Sequence, residues 1–197
     1  MNYDLQVIEE PVEEPVSLEE AKLHLRVDDN HEDSLIQNHI KTAREVAAAE
    51  TGRLGILTTK IRMSLDRVPR DRVLILPGAP LQSVESVKYL DRDGSEQTLD
   101  PSLYYVEKTP QPGYIFMLRE WPLVNTNHPR PLTVEYTVGW PSPEKVPASI
   151  KAGMLLHIGH LFENREEVVL GASATTLPLA SQRLYRPHLI FNPPSRT

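Results

Sequence analysis

Apolar residues recur at helical spacing near both ends of the chain and at strand spacing between them. Leu18, Ala21 and Leu25 follow Ser17-Leu18-Glu19-Glu20, where serine and the glutamate three residues on form a capping box, so a short helix is predicted from Ser17 to about Val27. Asp28-Asp29-Asn30 breaks it and supplies the expected N-cap of the next helix. Leu35, Ile36, Ile40, Ala43, Val46 and Ala47 then share one face of a rod roughly 30 Å long, stopped by Thr51-Gly52. From about residue 55 the period falls to two. Ile61, Met63 and Leu65 alternate with polar residues, and Val73–Leu76 is a short apolar run closed by Pro77-Gly78. Val84, Val87 and Tyr89 lead through Asp91-Arg92-Asp93-Gly94 to Gln97-Thr98-Leu99, which predicts a hairpin with an Asp-Gly turn. Tyr104–Val106, Tyr114–Met117 and Leu132–Val138 add further strands. Helical spacing resumes after Pro147, expected at the first helical position, with Ile150, Met154, His157, Ile158, Leu161 and Phe162 as the apolar stripe of a helix ending near Glu166. Gly171–Thr176 reads as a low-complexity link, and Pro178 opens a short helix to about Tyr185.

The fold class expected is α+β: a helical bundle from the N- and C-terminal segments, with an all-β block inserted between them. The bundle takes residues 17–54 and 146–186, and the β domain residues 55–145. Residues 1–16, crowded with prolines and acid pairs, are expected as an extended arm. Residues 187–197, which contain Pro193-Pro194, are expected as an extended tail. Neither helical end has enough length to bury a core alone, so the two are expected to pack together.

Charge adds an asymmetry to this layout. Residues 1–50 carry thirteen acids against Lys22, Arg26, Lys41 and Arg44, whereas no acid follows Glu167 and Arg183, Arg186 and Arg196 do. An acidic front and a basic rear suit docking between copies or on another protein. The net charge of −6 and the lack of a basic block argue against nucleic acid as the main source of affinity. No run approaches the roughly 18 consecutive apolar residues of a membrane span, so no membrane partner is expected. The absence of cysteine removes disulfides, thiolate metal sites and cysteine nucleophiles.

Candidate chemistry is sparse. His157 and His160, three apart on a helix, share a face, but the zincin pattern needs a four-residue spacing and an intervening glutamate. His157 lies on the apolar stripe and reads as a core histidine. Asp91 and Asp93 beside Gly94 read as a turn, since later calcium ligands are missing. Glu19-Glu20 and Asp28-Asp29 read as acids at helix starts. Trp121 and Trp140, each followed by proline, read as core or interface residues in preference to a sugar- or base-stacking platform. Serine-hydrolase elbows, Walker loops and dinucleotide turns are absent from the sequence. No catalytic residue, cofactor or metal is therefore assigned, and the chain is expected not to be an enzyme.

The order of landmarks along the chain resembles the head–tail connector (head-completion, adaptor) proteins of tailed bacteriophages and gene transfer agents. The resemblance runs over about residues 14–190. It is carried by Pro15–Val27, Ala43–Val46 with Glu50–Arg53, Leu76–Val84, Val134–Trp140, Val146–Lys151, Glu163–Val168 and Leu177–Ala180. It implies a structural subunit of a ring, commonly twelve-fold, seated between portal and tail of a phage-like particle. The resemblance further implies that DNA passes through the channel without specific binding and that a tail-side stopper or tail terminator protein is added below. A place in the virion or phage-like particle, after assembly in the host cytoplasm, is the expectation that follows. In that family the C-terminal segment often contacts the portal, so Arg183, Tyr185, Arg186, Leu189, Ile190 and Phe191 become the expected portal contact. Two other readings stay open at this point. One is a β-sandwich ligand- or protein-binding module of the tail or capsid surface. The other is a metal-dependent hydrolase using His157 and His160.

Overall fold

The computed structural model describes residues 1–108, 112–164 and 179–190. Among the described residues there are four helices, α1 (Leu18–Leu25), α2 (Asp33–Glu50), α3 (Ala148–Glu163) and α4 (Leu179–Tyr185). Eight strands accompany them: β1 (Tyr3–Glu9), β2 (Thr59–Leu65), β3 (Val73–Leu76), β4 (Leu81–Leu90), β5 (Glu96–Thr98), β6 (Tyr104–Glu107), β7 (Gly113–Met117) and β8 (Leu132–Val138). They form a five-stranded antiparallel sheet in the order β1-β2-β8-β4-β5 and a three-stranded antiparallel sheet in the order β3-β7-β6. The chain is thus mixed α and β, and it divides into two compact units.

The first unit holds Met1–Pro11 and Thr58–Gly139, together with Ile190. Its core follows from period-two alternation: Ile61, Met63 and Leu65 of β2 and Leu132, Val134, Tyr136 and Val138 of β8 all point to one dry side. Leu74 and Leu76 of β3 and Ile115 and Met117 of β7 are equally buried. Leu81 of β4 lies against the backbone of Gly113, a place that a Cβ would fill. The buried Tyr136 keeps its hydroxyl satisfied by donating to the Pro77 carbonyl at 2.9 Å. On the outer side of the five-stranded sheet, Arg62 donates twice to Glu135 directly across the β2–β8 pair, at 3.0 and 2.7 Å.

Tyr3–Glu9 departs from the arm expected over residues 1–16. It is an edge strand, in register with β2 from Tyr3 opposite Leu65 to Val7 opposite Ile61. The reason is an alternation the prolines obscure: Tyr3, Leu5 and Val7 share one face, and Pro11 and Pro15 fall beyond the strand. The Asn2 N–H donates to Asp66 Oδ1 at 3.0 Å and extends this anchorage.

The second unit holds Val12–Leu57 and Trp140–Leu189. One cluster joins Ala21 of α1, Ile36, Ile40, Ala43 and Ala47 of α2, Ile150, Met154 and Ile158 of α3, and Tyr185 of α4. The α1 capping box forms as the sequence predicts: Ser17 Oγ accepts from the Glu20 N–H at 3.1 Å, and Glu20 Oε2 accepts from the Ser17 N–H at 2.9 Å. At the far end of α2, Gly52 takes φ +68°. Its N–H reaches the Ala49 carbonyl while the Arg53 N–H reaches that of Ala48, the double bond of a Schellman stop.

The expected cap at Asp28-Asp29-Asn30 is different. Glu32 occupies the N-cap of α2 without a side-chain bond to the helix. Asp29 instead accepts from the His31 N–H at 3.0 Å and closes its own turn, while Lys22 ties Asn30 and Asp33 at 2.6 and 2.8 Å. Pro147 stands at the N-cap of α3 rather than inside its first turn, and α3 ends at Glu163, where the Asn164 side chain donates to the His160 carbonyl. The link Gly171–Thr176 and the helix-opening Pro178 lie outside the described residues.

Replacing Ser17 by alanine is expected to lower stability by about 1 kcal/mol, the usual worth of a serine cap, read from urea unfolding. An unchanged midpoint would contradict the part assigned to the capping box.

Candidate docking surface around the C-terminal helix

The surface grows from a glycine. Gly153 sits inside α3, where glycine ordinarily costs about 1 kcal/mol relative to alanine. A Cβ at this position would come within 2.5 Å of Cε1 of Tyr185. The missing side chain lets the Tyr185 ring lie directly on the α3 backbone, and Tyr185 is 1% exposed. This ring is the anchor of α4, a helix of only seven residues.

Beyond Tyr185 the chain makes one 3₁₀ turn, Arg186–His188, which departs from the irregular tail expected from Pro187 onward. Two polar contacts hold the turn. Arg53 donates through Nη2 to the His188 carbonyl at 3.3 Å, and His188 Nε2 and Ser149 Oγ are hydrogen-bonded at 2.7 Å. The Arg53 guanidinium also lies over the Trp140 ring, 4.5 Å from its centroid. Burial lowers the Arg53 pKa to about 10. His188 is pushed below the ordinary imidazole value by burial first and by the Arg53 charge second.

These anchors fix an open depression of about 380 Å³ lined by Glu50, Gln182, Arg183, Tyr185, Arg186 and Leu189. Arg183, Arg186 and Leu189 are exposed on its rim. The Tyr185 hydroxyl is buried without a hydrogen-bond partner among the described residues, as is Ser181 Oγ one turn earlier. Burial, with the Glu50 carboxylate adding, pushes the Tyr185 phenol above its ordinary range, so the hydroxyl stays a neutral donor. Two guanidinium groups, an amide and the Glu50 carboxylate surround one apolar side chain, so the lining is polar with charges of both signs.

The residues expected at this surface thus divide. Arg183, Arg186 and Leu189 are on it. Tyr185, 1% exposed, is chiefly a packing residue that also lines the depression. Ile190 is buried, at 8% exposure, as an apolar side chain is where the fold offers it cover. Phe191 lies outside the described residues. The sequence reading missed Arg53, Ser149 and Gly153, which support the surface from the turn after α2 and from α3. A glycine within an otherwise apolar helix was the one available signal.

The other candidates resolve into structure. His157 is 5% exposed, and its Nδ1 has no partner among the described residues. Burial lowers its pKa, with His160 and His39 adding to the effect. No group of three or more metal-ligating side chains converges among the described residues. Asp91 accepts from the Asp93 and Ser95 N–H groups and from the Gln97 amide, which is turn chemistry. Trp121 donates its indole N–H to the Asp71 carbonyl at 3.0 Å. Glu20 completes the α1 cap and meets Lys151 at 3.2 Å. Among the described residues no helix is long and apolar enough to cross a membrane.

Comparison with known proteins adds the following. Residues 15–87, from before α1 into β4, match the family model described as phage gp6-like head-tail connector protein. No curated protein matches the chain. A solved chain from the neck of an empty GTA particle computed with C6 symmetry is similar at TM-score 0.78 and 16% identity, covering 96% of this chain and 96% of that one. A chain from the virion of a native gene transfer agent (GTA) particle is similar at TM-score 0.78 and 16% identity, over 95% and 96% of the two chains. A third, from the neck of a native GTA particle computed with C12 symmetry, gives TM-score 0.69 at 16% identity, over 96% of each. The likeness to head–tail connectors read from the order of motifs is borne out by these matches. The family so matched is a structural one, not an enzyme class.

Two predictions follow from the packing. Gly153→Ala would ordinarily stabilise a helix. Here overpacking against Tyr185 is expected to cost about 1–3 kcal/mol, with amide protection of α4 lost first in hydrogen exchange. A gain in stability would contradict the packing. Separately, His157 and His188 both titrate below their ordinary 6.5 in the folded chain. Below that pH the unfolded chain binds more protons, so stability is complete above about pH 6.5 and drains as the pH falls. The thermal midpoint is expected to drop between pH 7 and pH 5, and to drop less in His188→Asn; a midpoint that rises on acidification would contradict both placements.

Proposed function

We propose that the chain is a head–tail connector subunit. Copies associate side by side into a ring, twelve-fold, between the portal and the tail of a phage-like particle, and DNA passes through the channel without specific binding. The observation that carries this reading is a coincidence of two likenesses. Residues 15–87 match a connector family, and nearly the whole fold matches chains of GTA particles. The C6 and C12 symmetries in which the similar neck structures were computed support copies arranged around an axis.

In this reading α1 to α4 act as one bundle, and the strands from β2 to β8 are a block inserted into it. The surface around α4 docks on the portal through Arg183, Arg186 and Leu189, which receive an acidic segment, with Phe191 continuing the contact. A tail-side stopper or tail terminator protein binds the opposite end of the ring. Assembly precedes release of the particle and takes place in the host cytoplasm. The acidic balance of the chain supports a passage that DNA traverses without being gripped, because tight binding would require phosphate-neutralising clusters.

The double variant Arg183→Glu/Arg186→Glu tests the docking surface. Both side chains are exposed, so the fold is expected to survive, as circular dichroism would register. Co-sedimentation with the portal is expected to fall at least about tenfold, the effect of losing roughly 1.4 kcal/mol or more of binding. Undiminished co-sedimentation would remove α4 from the portal interface.

A further inference from the structure

Strands β3, β7 and β6 are apolar on both faces, yet the chain covers one of them. Leu74, Leu76, Ile115 and Met117 fill the buried face. On the other, the register sets Val73 beside Phe116 and Phe116 beside Tyr105. The bond from the Leu118 N–H to the Leu103 carbonyl, at 3.0 Å, continues the row by one pair. These five side chains are exposed: Leu103 36%, Val73 37%, Leu118 43%, Phe116 45% and Tyr105 66%. The next rung of the same face is Ile75, Tyr114 and Glu107, so a single charge interrupts the face at its end.

An antiparallel sheet with one wet face ordinarily alternates apolar and polar residues, whereas strands apolar on both sides belong to sheets covered twice. The alternation on β2 and β8 obeys the first rule, with Lys60, Arg62, Ser64, Thr133, Glu135 and Thr137 pointing outward. The small sheet obeys the second. Its register is regular and β7 is paired on both sides, so the face offers side chains to a partner rather than backbone groups.

We propose that a neighbouring copy of this chain covers the outer face of β3-β7-β6 in the ring. The inference rests on the ring reading above and names one of the surfaces by which the ring closes. Area and ring symmetry together favour this occupant. Five large apolar side chains, one-third to two-thirds exposed, present on the order of 400 Å², the size of the largest and often functional apolar patch of a solitary protein. That is about half of the roughly 800 Å² each partner contributes to a stable interface, and it matches the apolar centre such an interface needs. A cyclic ring requires every copy to bury area against two neighbours through two different patches. This face is one such patch, and a different surface of the adjacent copy meets it.

The test uses particles assembled with the full chain, in which Phe116 is replaced by the photoreactive aromatic p-benzoylphenylalanine, and Tyr105 in a second preparation. Irradiation is expected to give an adduct of twice the chain's mass whose peptides all come from this chain. An adduct with a different protein, or no adduct in particles whose rings are visible by electron microscopy, overturns the assignment and leaves the ring reading standing. Particles that contain the chain but no ring overturn that reading itself. As a second arm, Tyr105→Lys/Phe116→Glu, which sets an opposite-charge pair across the β6–β7 register, is expected to leave the thermal midpoint of the isolated chain little changed and to reduce ring yield at least about tenfold. Normal ring yield from that variant would also overturn the proposal.

Discussion

Neither α1, with eight residues, nor α4, with seven, is long enough to hold a helix by itself in water. Both exist because α2 and α3 share a dry seam of Ile36, Ile40, Ala43, Ala47, Ile150, Met154 and Ile158 on which they close. Tertiary burial is thus the constraint on which the helical unit depends, and Tyr185 on the bare backbone of Gly153 is where it reaches α4. The polar clamp of Arg53, Trp140, His188 and Ser149 then sets the turn beyond α4. Function follows from that order of dependence. The exposed arginines of a short terminal segment become a defined surface only because a buried tyrosine beside them is immobilised.

The two surfaces the chain presents differ in physics, and the difference suits two kinds of contact. Around α4 the lining is charged and polar about one leucine, as expected for a contact that forms between preassembled parts and is steered by charge. The outer face of β3-β7-β6 is apolar, as expected for a contact kept buried once made. A ring subunit needs both: lasting association with its own kind, and selective docking on something else.

Much of this was legible in the sequence. Alternation located β2 and β8, the spacing of Ile36, Ile40, Ala43 and Ala47 located α2, and the Ser17 and Gly52 chemistry marked helix ends. What was hidden has common causes. β1 was masked by acids and prolines that stand just outside it, and the α2 cap by an Asp29 engaged in its own turn. The burial of Tyr185 has no signal of its own, because its seat is made by a glycine more than thirty residues earlier, and such a pairing has no local signature. The apolar outer face was visible as residues but not as a face, since only register shows that Val73, Phe116 and Tyr105 stand in one row.

The central claim, a ring subunit seated on a portal, is tested most directly by electron microscopy of the purified chain mixed with its portal. The account predicts one additional coaxial ring of this chain on the portal, with the surface around α4 turned toward it. A portal that carries no added ring at saturating concentrations of the chain would contradict the account.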